Sequence, residues 1–150
     1  MKKLSSVFYM WVGFGTGIIA TLAMFLPFIA RDGGTYRATS FFFNNTFDFE
    51  KGAWPSFVGF MLILVAAIAL GVMALPFLQP SAKVEKIVLI SAAGCALVGT
   101  ILAVLLKSLY GAFNPDIAYS LSNYLAGFYF TLIFGLLTVA STVVAIVLDW

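Results

Sequence analysis

Polar and apolar positions in this chain are sorted into long blocks rather than alternating residue by residue. Four apolar blocks stand out, at about 7–30, 55–78, 87–106 and 121–148. Each is near the roughly 20 residues that a helix needs to cross the hydrocarbon core of a bilayer. The blocks predict four transmembrane helices in one integral membrane domain. The connections are 31–54, 79–86 and 107–120. Local signals support the breaks. Pro55 suits a first helical turn, where its missing N–H costs nothing, and Pro76 helps to end the second helix. Gln79-Pro80-Ser81 separates the second and third helices. Ser81 is a candidate N-cap, with Glu85 in the positive first turn. Lys86 and Lys107 bracket the third block, where both can snorkel to headgroups. Asn114-Pro115-Asp116 reads as a turn. Lys2 and Lys3 precede the first block, but that block is too long for a signal-peptide core and is read as a retained span.

The longest polar interruption is 31–54, RDGGTYRATSFFFNNTFDFEKGAW. Thr35 to Phe43 is rich in residues that suit strands, and Asn44-Asn45 suits a two-residue turn. Thr46 to Glu50 then alternates polar and aromatic, the period of a half-buried strand. The expected fold class is therefore an all-α membrane protein, a four-transmembrane-helix bundle with a small β-hairpin in the first extracytoplasmic loop. Phe47 and Phe49 would share one face of that hairpin. A lone hairpin is marginal in water, so its aromatic face must rest on the bundle, the headgroups or a partner. Phe41-Phe42-Phe43 puts aromatics on both faces, more than a lid needs. Phe42, Phe47 and Phe49 are the candidate partner-binding residues.

Composition bears out the membrane class: 63% of residues are hydrophobic and 9% charged, where soluble domains carry about 25% charge. A net charge of +2 with no basic stripe points away from nucleic acid. The sequence has no histidine, the commonest general acid–base and metal ligand. A lone Cys95 in an apolar run reads as a packing residue. Lys107 and Ser108 are a poor dyad, because neighbouring residues on a helix point to different sides. Asp48 and Glu50 would lie about 7 Å apart on one strand face, which reads as a solvated surface. Gly13 to Gly17, GFGTG, lacks the Lys-Ser/Thr and preceding strand of a phosphate loop. No catalytic, cofactor-binding or metal-binding residue is assigned, and no cofactor is expected.

Small residues recur at four-residue spacing, which keeps them on one helix face. Helix 1 has Gly13, Gly17 and Thr21; helix 2 has Ala67 and Gly71; helix 3 has Ser91, Cys95 and Gly99; helix 4 has Gly127, Thr131 and Gly135. In lipid, close backbone approach through such residues drives helix against helix. Gly13, Gly17, Gly71, Gly99, Gly127 and Gly135 are accordingly expected at helix contacts. No span carries an interior Asp, Glu, Lys or Arg, which transporters commonly keep. Thr131, Thr138, Ser141 and Thr142 can line a narrow polar path or bond back to their own helix carbonyls.

With four spans both termini share a side. Lys2, Lys3, Lys83 and Lys86 lie on that side; Arg31, Arg37, Lys51 and Lys107 lie on the other. The count gives no majority. Lys2 and Lys3 flank the first helix directly, which favours cytoplasmic termini in the plasma membrane. Four spans with strands in the first extracellular loop are similar in outline to claudin-like tetraspan proteins. The claudin loop motif, a tryptophan followed by Gly-Leu-Trp and two cysteines, is absent: this loop has Trp54 alone and no cysteine. No residue role carries over. The expectation is a non-enzymatic accessory or interaction subunit acting through its first extracytoplasmic loop, with the lipid bilayer and a membrane-protein partner or second copy as its neighbours. The alternatives are a small oligomeric channel or transporter component and, third, a membrane enzyme.

Overall fold

The computed structural model describes residues 4–31, 34–37, 54–105, 108 and 121–149. Four long helices dominate: α1 (Leu4–Ala23), α2 (Trp54–Met73), α3 (Ala82–Val104) and α4 (Ala126–Asp149). At 20 to 24 residues each is about 30 Å long or slightly more, the depth of the hydrocarbon core. All four contain windows long and apolar enough to cross a membrane. Three short strands, β1 (Pro27–Arg31), β2 (Gly34–Arg37) and β3 (Leu121–Tyr124), form one antiparallel sheet in the order β2-β1-β3.

Each helix packs on the next, and α4 closes back on α1. The contact across the diagonal between α2 and α4 is slight. The short 74–81 connection makes α2 and α3 antiparallel neighbours, and the α1–α4 bonds run in antiparallel register as well. The interior is built from small side chains: Ala20, Ala66, Ala67, Ala92, Ala96, Ala103 and Ala145 are buried, with Met10, Ile63, Leu70 and Leu89 filling the gaps between them. Large side chains such as Leu22, Val65, Ile90, Ile133 and Val147 point outward. Lipid is as apolar as leucine, so nothing drives these inward and close backbone approach decides which face is interior.

Helix ends follow local chemistry. Ser81 caps α3, its side chain accepting from the Val84 N–H at 3.3 Å, and Glu85 lies buried in the first turn. Both match the sequence expectation. α2 stops at Met73, ahead of Pro76, and its last N–H groups reach back to carbonyls three or four residues earlier.

Three expectations are corrected. The first span does not continue to residue 30. Helix α1 ends at Ala23, and Met24, Phe25 and Leu26 make tight bonds to the carbonyls three residues back. Pro27 has no N–H to extend the helix and disfavours the α conformation just before it; the chain leaves as β1. The fourth helix does not begin at residue 121, because Leu121–Tyr124 pairs with β1 as β3. The predicted hairpin is not supported. Its Asn44-Asn45 turn and second strand lie outside the described residues. Thr35 and Tyr36, placed in its first strand, pair backwards with Ala30 and Ile29 instead.

Candidate functional site

The sheet sits at one end of the bundle, against the start of α4. β1 is its centre, pairing Ala30 with Thr35 and Arg31 with Gly34 on one side, and Ile29 with Tyr124 and Arg31 with Leu121 on the other. The two connections on this side of the bundle are thus joined through one strand. Tyr124 carries the link into the helices: its hydroxyl donates to the Val104 carbonyl at 3.1 Å. That carbonyl is in the last turn of α3, where acceptors lack helical partners. The Tyr124 ring stacks on Phe128 with centroids 3.8 Å apart. The candidate partner residues Phe42, Phe47 and Phe49 follow β2 in sequence and lie outside the described residues.

Inside the bundle, the hydroxyls gather along the α1–α4 contact. Ser6 donates to the Ala145 carbonyl at 3.2 Å, Thr16 and Thr138 share a bond of 2.9 Å, and Thr131 donates to the Ala20 carbonyl at 3.3 Å. The antiparallel register is regular, one helix rising as the other falls. Thr138 and Thr142 also bond their own helix, to Phe134 and Thr138 carbonyls at 2.8 and 2.7 Å. Of the residues considered for a polar path, Thr131, Thr138 and Thr142 are therefore engaged in tying α4 to α1 or to itself. Ser141 is buried on the same helix.

Every sequence-selected glycine stands at a helix contact. An added Cβ at Gly13 would come within 2.7 Å of Leu70, at Gly17 within 2.7 Å of Ala67, and at Gly71 within 2.7 Å of Phe14. At Gly99 it would lie 2.8 Å from the Gly59 carbonyl, and at Gly127 it would meet the carbonyls of Ala23, Leu26 and Pro27 at 2.8 to 3.0 Å. At Gly135 it would overlap the Thr100 side chain. The sequence reading missed Gly59. A Cβ there would lie 2.5 Å from the Gly99 carbonyl and 2.7 Å from the Ala103 nitrogen. Ile63 interrupts the small-residue row between Gly59 and Ala67. The usable signal was that Gly59 and Ala67 are two steps apart on the same four-residue row.

Among the described residues, no three His, Cys, Asp or Glu side chains gather as metal ligands. Cys95 is half-buried and free. Ser56 is buried at the start of α2, and its hydroxyl has no hydrogen-bond partner among the described residues.

No protein-family model matches the chain, and neither the curated proteins nor the solved structures contain a significant match. Four apolar, membrane-length helices in a compact bundle make an integral membrane protein the reading that the geometry itself carries.

Proposed function

We propose that this chain is a non-enzymatic accessory or interaction subunit of a membrane complex. It engages its partner through the extracytoplasmic loop between β2 and α2, with both termini cytoplasmic in the plasma membrane. The observation that carries this reading is how the polar groups of the spans are used. Of the hydroxyls that a conducting path would need, Thr131 and Thr138 bridge α4 to α1 and Thr142 bonds back to its own helix. With those groups engaged in the bundle, recognition falls to the end that carries the sheet. Phe42, Phe47 and Phe49, in the sequence between β2 and α2, have the aromatic character suited to a protein surface.

Affinity isolation in mild detergent, followed by mass spectrometry, tests the proposal. The expected result is a stoichiometric membrane-protein partner, or a second copy, lost when Phe42, Phe47 and Phe49 are together replaced by Ser. Recovery of a lone monomer sinks the proposal, and partner recovery unaffected by the triple replacement moves the interface elsewhere. Ion flux in liposomes, abolished by Thr138→Leu, would replace it with the channel reading.

A further inference from the structure

A groove of about 380 Å³ runs along the outside of the α1–α4 pair at the end that carries the sheet. Ile19, Leu22, Ala23 and Leu26 line one wall, and Phe130 and Phe134 the other. Ile19, Leu22 and Leu26 follow a three-and-four spacing, so they stand on one face of α1 and the turn that ends it. Phe130 and Phe134 lie one turn apart, their ring centroids separated by 6.1 Å and their planes tilted by 30°. Ala23 is buried in the wall it forms, while Ile19, Leu22, Leu26 and Phe130 are open to the outside. At the same level the backbones press together at Gly127.

We infer that this groove seats one acyl chain of a bilayer phospholipid. It is continuous with the outward faces of α1 and α4, where Phe8, Trp11, Ile133 and Leu136 are exposed. A partner helix is a poor occupant. Helices associate in lipid through small residues or interhelical hydrogen bonds, and the open side of the groove offers branched and aromatic side chains. The glycines at its level are already committed inside, Gly17 against Ala67 and Gly127 against three carbonyls. An acyl chain is thin and flexible enough to follow such walls. From Ile19 to Leu26 the groove covers about 10 Å of helix axis, roughly a third of the hydrocarbon depth. Its outer end lies where Pro27 turns the chain into β1. The groove therefore takes the part of the acyl chain nearest the headgroup.

The test uses the full chain reconstituted in phosphatidylcholine vesicles, released in mild detergent and weighed by native mass spectrometry. One phospholipid retained per chain is the expected result. Leu22→Trp fills the groove from an exposed position and should lower retention about tenfold, a loss of about 1.4 kcal/mol of binding. Ile90→Trp, on the outward face of α3, should leave retention unchanged. Phe130→Ala removes the opposite wall and should also lower it; this variant decides the matter should Leu22→Trp lose its helical circular dichroism. Absence of retained phospholipid, or equal retention in all variants, overturns the inference. A dimer mass abolished by Leu22→Trp would assign the groove to a second copy and overturn it equally.

Discussion

Replacing Gly59 with Ala should destabilise the bundle, whereas the same change at Gly94 should not. At Gly59 the new methyl would lie 2.5 Å from the Gly99 carbonyl oxygen and 2.7 Å from the Ala103 nitrogen, where ordinary contact begins at 3.4 Å. Both obstacles are backbone, so no side-chain rotation relieves the overlap. Helices α2 and α3 must instead separate by about 0.9 Å, the difference between 3.4 and 2.5 Å. A gap of that size forfeits a quarter to a half of each contact's attraction along the seam. Overpacking of this kind costs about 1–3 kcal/mol. Alanine's better helix propensity returns up to about 1 kcal/mol. Gly94→Ala shares that gain, so relative to it the loss is about 1–3 kcal/mol, roughly 5-fold or more in the folded-to-unfolded ratio. A Cβ at Gly94 would meet nothing within 4 Å, so that variant keeps only the propensity gain. Titration of mixed micelles with a denaturing detergent, followed by circular dichroism, compares the two. If Gly59→Ala and Gly94→Ala unfold within about 0.5 kcal/mol of each other, the close α2–α3 approach is not what holds this seam.

Gly135→Ala should be destabilising through its overlap with Thr100 and largely rescued by Thr100→Ala. The cycle should show a coupling of about 1 kcal/mol or more in the same titration. Coupling near zero would mean that α3 and α4 have room to shift. Thr16→Val and Thr138→Val should each cost about 0.6 kcal/mol, and the double variant little more than either, because they share one bond of the kind measured between membrane helices; fully additive losses would refute the pairing. Tyr124→Phe removes the hydroxyl donated to Val104 at a cost of about 0.5–1.5 kcal/mol. Hydrogen exchange should then quicken at the last turn of α3 and leave its Ser81-capped start unchanged.

The helices were legible in the sequence because length and apolarity suffice to identify a span. Ser81 and Glu85 were legible because an N-cap is a local bond, set by residues a few positions apart. The six glycines chosen from four-residue rows sit where an added Cβ would collide. The strands were harder. Pro27 to Ala30 is as apolar as the helix before it, and Leu121 to Tyr124 runs into the apolar start of α4. Periodicity cannot separate a short apolar strand from the end of a helix. Asp32-Gly33 is the stronger turn sequence in this stretch, since Asp-Gly is among the strongest two-residue turn signals. Asn44-Asn45 is followed by the polar-aromatic alternation of Thr46 to Glu50, which is itself a strand pattern. The threonines of α4 were ambiguous for a different reason. A hydroxyl on a helix can face a path, a neighbour or its own carbonyl, and Thr138 reaches Thr16 only because α1 has the matching register.

The closure of α4 onto α1 joins two spans far apart in the sequence. Ser6 and Ala145, bonded in the finished bundle, are 139 residues apart. At ribosomal speeds of about 5–20 residues per second, α1 waits on the order of ten seconds in the membrane before its partner emerges. It is also the least hydropathic of the four spans. Its threonines are suited to that interval. Thr16 bonds the Val12 carbonyl and Thr21 the Gly17 carbonyl, both within α1. Neither needs α4 to be satisfied in lipid, so the first helix can be inserted as a self-sufficient unit. Ser6 has only its bond to Ala145 among those described, and it lies within the first turn, where headgroup water can serve it. A chain truncated before β3 would keep a self-satisfied first span but lose the strand and helix that complete the described sheet and bundle. Closing the α1–α4 seam and pairing β3 with β1 both wait on the same distant stretch of chain.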